Sequence, residues 1–173
     1  LRQARREFDP DPVAAARICE EAGADSIVAH LREDRRHIND KDIERLKRSI
    51  KTRFNLEMSL NEEIVTIACK IKPHQATLVP ERRQEITTEG GLDIIKNFTR
   101  VKKVAGQLQR KGIEVSLFID ANKEHILKTV DAGIKIIEIH TGSYDLAKTP
   151  SARLKELKKI KKTLVSRDEL KRA

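Results

Sequence analysis

Hydrophobic positions along this chain follow two alternating spacings. Short apolar runs rich in β-branched residues are followed by longer stretches in which apolar residues recur three and four positions apart. The first spacing predicts buried strands and the second predicts amphipathic helices. Strands are predicted at residues 26–31, 54–58, 75–79, 115–119 and 136–139, and helices are predicted to begin after Asp11, Asn39, Ser59 or Asn61, Leu92, Asn122 and Thr149.

Strands that alternate with helices predict right-handed βαβ units and a parallel sheet, here as one domain over residues 1–173. Two α/β folds are open at this point. A (β/α)8 barrel typically takes about 250 residues, more than the 173 residues of this chain. A smaller doubly wound sheet fits the length.

Ionisable residues recur where the predicted strands end. His30 and Asp120 each end a strand, Glu57 lies late in another, and Glu138 and His140 close the fifth. In both candidate folds, the carboxyl ends of parallel strands form the site. A single strand-end histidine is more often structural, but several acids and bases at one end of a sheet predict proton-transfer chemistry.

The densest polar run is HLREDRRH at residues 30–37. We expect residues 33–36 to form an exposed charged loop, whereas Arg32 and His37 are candidates to hold a phosphate or a keto-sugar. The sequence contains no Walker-type loop and no GxGxxG motif, so a nucleotide cofactor has no support. The polar segment 81–92 lacks periodicity and is predicted to be a long functional loop.

Composition adds a strong positive charge. The formal net charge is +9, and aromatic residues make up 3%. This excess fits nucleic-acid binding, a site for anionic substrates or a solvated helix surface. Lysines concentrate at residues 155–162 without interleaved aromatics, so base stacking has little support.

Membrane attachment and disulfide bonding are not predicted. No apolar run approaches the roughly 20 residues that span a membrane. Cys19 and Cys69 are predicted to be reduced core residues of a cytosolic protein.

Several long strings of this sequence resemble pyridoxine 5′-phosphate synthases. They follow one another in the family's order over nearly the whole chain. The strings are LRQAR at 1–5, AHLREDRRHI at 29–38, NLEM at 55–58, LVPERRQEITTEGGLD at 78–93, VSLFID at 115–120 and IEIHTGSY at 137–144. The resemblance implies a (β/α)8 TIM-type barrel.

The resemblance also implies an activity. Family members condense 1-deoxy-D-xylulose 5-phosphate with 3-amino-2-oxopropyl phosphate to give pyridoxine 5′-phosphate, inorganic phosphate and water. They use no metal and no organic cofactor. By motif, His30 and Glu57 resemble general bases, and Glu138 resembles a glutamate that stabilises the transition state.

Substrate ligands and assembly follow from the same resemblance. Arg32, His37 and Thr87 resemble ligands of the deoxyxylulose phosphate, and Arg5 resembles a ligand of the aminoketone phosphate. The expected partners are small phosphorylated substrates, with no nucleic acid and no membrane. A cytoplasmic homo-oligomer, an octamer built from dimers, is expected.

The chain departs from the family pattern at both ends. The family's first strand carries an Asn-x-Asp-His motif, and its later strands carry His-Gly and Gly-His motifs, none of which occurs here. Residues 165–173 show no strand pattern. We therefore expect an incomplete barrel that does not turn over substrate as this polypeptide alone.

Two other functions stay open on the residues alone. One is a different phosphate-binding barrel enzyme, such as a sugar-phosphate isomerase or an aldolase. A Schiff-base aldolase needs a lysine inside a strand, and Lys135 lies at the wrong end of its strand. The other is a basic nucleic-acid-binding or scaffold protein that uses the C-terminal helix.

Overall fold

Five strands alternate with helices in the computed structural model, which describes residues 2, 9–81 and 90–164. The strands are β1 (Ser26–Leu31), β2 (Arg53–Met58), β3 (Gln75–Leu78), β4 (Glu114–Asp120) and β5 (Ile136–His140). The helices are α1 (Pro12–Glu21), α2 (Asp40–Ser49), α3 (Glu62–Ile71), α4 (Ile94–Gln109), α5 (Lys123–Asp131), α6 (Gly142–Asp145) and α7 (Pro150–Thr163). All predicted strands are confirmed, and the short helix α6 was not predicted.

Side-chain caps fix where the helices begin. Asp11 accepts a hydrogen bond from the Val13 N–H, with proline in the first turn of α1. Asn39 and Asp42 form a reciprocal capping box at the start of α2, with distances of 3.0 and 3.1 Å. Such caps accept hydrogen bonds from N–H groups that have no partner inside the helix. The residue types that do this lie directly before the helix, so the sequence predicted them.

The strand order distinguishes the two α/β folds. All strands are parallel, and they pair in the order β1-β2-β3-β4-β5. A doubly wound sheet reverses its strand order at a switch point, whereas a barrel adds each new strand on the same side. The structure is therefore α/β with the order of a barrel segment, as predicted. Among the described residues the sheet is open, with β1 and β5 at its edges.

The two faces of the sheet differ in polarity. One face is covered by helices and carries apolar side chains; Phe54, Leu56, Leu78 and Leu117 are 0% exposed. The pairing register places the polar residues on the other face, because residues aligned across neighbouring strands project to the same side. That face carries His30, Asn55, Glu57, Thr77, Ser116, Asp120, Glu138 and His140.

One expectation about burial is wrong. Cys19 was predicted to lie in the core, but it is exposed, because the buried side of α1 is formed by Val13 and Ala16. On α7, Leu154 and Leu164 are 51% and 57% exposed. No described helix has both the length and the apolar character needed to cross a membrane.

Candidate active site

His30, at the carboxyl end of β1, lies between two carboxylates. Its Nδ1 is 3.9 Å from Glu57 Oε2, and its Nε2 is 3.9 Å from Glu81 Oε2. Both distances are too long for hydrogen bonds. Nε2 of His30 and Oε2 of Glu81 are buried and have no hydrogen-bond partner among the described residues. The imidazole therefore has carboxylates beside both nitrogens without being locked to either.

The His30 imidazole is held in its neutral form. Burial, together with the positive charges of Arg32 and His37 and against a raising effect of Asp34, lowers its pKa from 6.5 to about 4. A neutral imidazole can accept a proton at neutral pH, which is the state that a general base requires. An anionic substrate beside the ring would raise this pKa toward neutrality.

Glu57 and Glu138 interact across the polar face. Burial raises the pKa of Glu57, and the nearby charge of Glu138 raises it further. These residues lie on β2 and β5, which are separated by β3 and β4. In a flat sheet their strands would be about 14 Å apart, so this interaction is consistent with a sheet that curves as a barrel wall does. The structure thus places all three predicted catalytic residues on one face.

The predicted phosphate ligands Arg32 and His37 lie beside this group. Arg32 is buried, with Nε 3.5 Å from Asp34 Oδ1 and 3.7 Å from Glu81 Oε1. Burial lowers the pKa of His37, and the charges of Arg32 and Arg36 lower it further. The positive charges that disfavour an added proton on His37 favour a bound anion. Arg5 and Thr87 lie outside the described residues.

Residues 33–36 are not the free charged loop that we expected. The Glu33 carboxylate accepts a hydrogen bond from Ser59 Oγ at 2.7 Å. Arg35 pairs with Asp40 at 3.0 Å and also with Glu63, which anchors the segment to α2 and α3. Because these contacts join residues distant in sequence, charge density alone could not reveal them.

Glu81 is a site residue that the sequence interpretation missed. Its side chain is 3% exposed, and Oε1 accepts a hydrogen bond from the Glu33 N–H at 2.9 Å. Burial raises the pKa of this carboxyl, although the Glu33 N–H and Arg32 oppose the shift. The only available signal was its position directly after Pro80 at the end of a predicted strand.

The Asp120–His140 pair is a second feature not assigned from sequence. Asp120 Oδ1 lies 3.0 Å from His140 Nδ1 and also accepts the Gly91 N–H at 3.0 Å. A Cβ at Gly91 would lie 2.2 Å from the Asp120 nitrogen, and one at Gly142 would lie 2.6 Å from His140 Nε2. Glycine is thus required at position 91, where the neighbouring atoms are backbone, whereas a side chain at position 142 would displace the His140 ring.

A cavity of about 700 Å³ opens at the carboxyl ends of β4 and β5. Its described lining includes Asp120 and His140 but not His30, Glu57 or Glu138. Within the described part of the chain, no group of three or more His, Cys, Asp or Glu side chains is arranged to hold a metal ion.

Together, the parallel fold and the acidic and imidazole groups beside a buried arginine define an α/β enzyme that performs acid–base chemistry. The family described as "Pyridoxal phosphate biosynthesis protein PdxJ" matches residues 1–171, and the chain belongs to this family.

Relatives named pyridoxine 5′-phosphate synthase share about half of their aligned residues with this chain. The protein from Gloeothece citriformis is 52% identical over 162 residues, which cover 94% of this chain and 68% of the relative. The protein from Trichlorobacter lovleyi is 49% identical over 170 residues, covering 98% and 71%. This chain therefore spans about two thirds of the length of these relatives.

Likeness to solved structures is distant. A D-psicose 3-epimerase from Clostridium cellulolyticum H10, solved with D-tagatose, aligns with a TM-score of 0.49 and 12% identity over 76% of this chain and 58% of that chain.

Proposed function

We propose that this protein takes part in the condensation of 1-deoxy-D-xylulose 5-phosphate with 3-amino-2-oxopropyl phosphate to form pyridoxine 5′-phosphate. Family membership supports the reaction class. The observation that carries the proposal is the gathering of His30, Glu57 and Glu138 on one face beside the buried Arg32. A condensation followed by ring closure needs several proton transfers and loss of water, which such a group can supply.

His30 is proposed as the first general base. It is neutral, and both of its nitrogens face carboxylates that stabilise the imidazolium formed when it takes a proton. The negative charge of a bound phosphorylated substrate adds to this stabilisation. The pKa of His30 therefore rises when substrate binds, which brings it closer to the value that suits catalysis.

Glu57 and Glu138 are proposed to divide two further roles. The pKa of Glu57 is raised by burial and by Glu138, so Glu57 can exchange protons closer to neutral pH than an exposed glutamate can. Glu138 lies on the exposed part of the same face. There its negative charge can stabilise the positive charge that develops on a protonated imine or carbinolamine.

Arg32 and His37 are proposed to bind the phosphate of the deoxyxylulose substrate, together with Thr87. Arg32 is buried at the edge of the acid–base group, and guanidinium groups bind phosphate in a bidentate manner. Arg5 is proposed to bind the phosphate of the aminoketone. A cytoplasmic homo-oligomer also remains a proposal, for which family resemblance is the support.

Substitution of His30 tests the proposal. In an enzyme of full family length that carries this sequence, His30→Asn is expected to reduce the rate of pyridoxine 5′-phosphate formation by about 10²–10⁴-fold, because a general base contributes that much. Product would be measured by chromatography from the two phosphorylated substrates.

His74→Asn is the matched control. His74 lies at the opposite end of the sheet, where its Nδ1 accepts the Phe54 N–H at 2.9 Å. Asparagine can accept the same hydrogen bond, so this variant should retain turnover close to the unmodified rate. Full turnover by His30→Asn would remove the assignment of His30 as a base.

A Schiff-base aldolase is not favoured by the structure. Its lysine would have to reach the polar face near the carboxyl ends of the strands. Lys135 is exposed and precedes the first residue of β5, at the amino end of that strand.

A further inference from the structure

The two sides of the His30 ring differ in their access to solvent. On the Nε2 side, the ring nitrogen itself is buried and the Glu81 side chain is 3% exposed. On the Nδ1 side, the Glu57 side chain is 27% exposed. Among the described residues, the side of Nδ1 and Glu57 is therefore the one more open to a substrate.

We propose that Glu81 is a positioning residue whose ionised carboxylate keeps the proton of neutral His30 on Nε2, so that Nδ1 is the nitrogen that accepts the substrate's proton. This inference rests on the proposed role of His30 as a base and deepens it. It also gives Glu81 a role distinct from that of Glu57, although both carboxylates are 3.9 Å from the ring.

The ionised state of Glu81 is supported by the groups that contact it. Its Oε1 accepts the Glu33 N–H at 2.9 Å and lies 3.7 Å from Arg32 Nε. Both contacts favour the carboxylate, although burial, which is the largest influence, and the charges of Glu33 and Asp34 raise its pKa. An ionised carboxylate can only accept hydrogen bonds, and Glu81 Oε2 is buried without a hydrogen-bond partner among the described residues, so a ring proton on Nε2 is the one that stabilises it. The Glu57 side chain is 27% exposed, so water can solvate its carboxylate without a proton on Nδ1.

Other charged groups around His30 act on both nitrogens and do not select one. Arg32 and His37 disfavour protonation of the ring, and Asp34 favours it. The titratable or charged groups that face the ring come from three places: Arg32, Asp34 and His37 after β1, Glu57 on β2 and Glu81 after β3. Glu138 on β5 acts indirectly, because its charge raises the pKa of Glu57. Glu81 is the member of this set that lies against Nε2.

The proton balance of the step is simple. The substrate C–H or N–H bond breaks and leaves its electron pair on the substrate, and the proton bonds to the lone pair of Nδ1, while the proton on Nε2 remains in place. The resulting imidazolium faces the Glu81 carboxylate, and the 3.9 Å separation can shorten to a charge-assisted hydrogen bond. Glu81 does not take up the proton; it orients the ring and stabilises its charged form.

Glu81→Gln gives a sharp test because it should reverse the tautomer. The Glu33 N–H holds the amide oxygen of the new side chain, so its NH₂ group would face His30 Nε2. An NH₂ group is a donor, which forces Nε2 to become an acceptor and moves the ring proton to Nδ1. The nitrogen needed for catalysis is then blocked.

The tautomer would be read from the ¹⁵N chemical shifts of the His30 ring in the ¹⁵N-labelled protein. The unmodified protein should show a protonated Nε2 and an unprotonated Nδ1, and Glu81→Gln should show the reverse. In the full-length enzyme, kcat should fall by about 10²–10⁴-fold with little change in KM, as expected for a base in the wrong tautomer. Glu81→Asp keeps a carboxylate and should retain the Nε2–H tautomer with part of the activity.

Glu33→Gln is the matched control. It makes the same chemical change in a neighbouring side chain that contacts Ser59, and it leaves the Glu33 N–H intact. Its His30 tautomer should be unchanged. A protonated Nδ1 in the unmodified protein would overturn the proposal even if Glu81→Gln failed to fold, and so would a Glu81→Gln enzyme with unchanged tautomer and kcat. If the unmodified enzyme forms no product, the proposed function fails, while the tautomer measurement still tests Glu81.

Discussion

The two ends of the sheet differ in whether their polar side chains have hydrogen-bond partners within the protein. At the amino end, polar groups have partners within the protein. His74 accepts the Phe54 N–H at 2.9 Å. The Glu20 carboxylate accepts hydrogen bonds from the N–H groups of Lys51 and Thr52 and from the Thr52 hydroxyl, each at 2.8 Å.

Around His30, at the carboxyl end, polar atoms are brought together without hydrogen-bonding each other. His30 Nε2 and Glu81 Oε2 are buried 3.9 Å apart and form no hydrogen bond. The charge of Glu138 disfavours the ionisation of Glu57. Such groups cost stability unless something pairs with them. The comparison teaches that the amino end stabilises the fold, while the carboxyl end retains an electrostatic cost that a charged substrate can relieve.

The largest expected effect on stability comes from lowering the pH. The pKa of His30 in the folded protein is about 4, below its usual value of 6.5. The contribution of His30 to the free energy of unfolding is therefore complete above pH 6.5 and is lost as pH falls through 4. The reason is that His30 takes up a proton at higher pH in the unfolded chain than in the folded protein. The shift corresponds to about 3 kcal/mol of unfolding free energy.

Urea unfolding of the protein and of His30→Asn, measured at several pH values across this window, isolates the His30 contribution. Glu57 and Glu81 have raised pKa values, so their contributions to stability act in the opposite direction. Glu57 and Glu81 are present in both proteins, so their contributions largely cancel when the free energy of unfolding of one protein is subtracted from that of the other. A difference between the two proteins that does not change with pH would show that His30 is not held neutral by the fold.

A smaller effect is expected at the amino end of the sheet. His74→Ala leaves the N–H of Phe54 without its acceptor, and Phe54 is 0% exposed. An unsatisfied buried donor costs about 1–3 kcal/mol. Urea unfolding at neutral pH should show this loss, and His74→Asn should recover most of it. Equal stabilities for His74→Ala and the unmodified protein would show that this end of the sheet does not depend on the contact.

The smallest effect is expected for the ion pair between Arg53 and Glu114, which joins β2 to β4 at the amino end. Both side chains are 54% exposed. Solvent screens exposed pairs, so a double-mutant cycle of Arg53→Ala and Glu114→Ala should give a coupling energy below about 1 kcal/mol. A coupling energy of several kcal/mol would mean that surface charge, and not hydrogen bonding of buried groups, stabilises this end.

Much of the fold was predictable because its determinants are local. Caps at Asp11, Asn39 and Asn61 and the apolar runs that form the strands lie within a few residues of the elements they specify. The chemical character of the strand-end residues was equally visible, since His30 and Glu57 interrupt apolar runs. The burial of Cys19 was predicted wrongly, because periodicity shows that a helix has an apolar face but not which of its residues another element covers.

By itself, the sequence determined the alternation of strands and helices, the parallel sheet and the acids and bases at the strand ends. Tertiary structure decided which of these groups meet. Glu81 follows β3 and His30 ends β1, 51 positions apart in the chain, yet their polar atoms face each other in a buried gap. The strand order, which excludes a doubly wound sheet, was also decided at this level. The physical reason is that local spacing fixes backbone conformation and side-chain direction, whereas burial and proton affinity depend on neighbours supplied by distant segments.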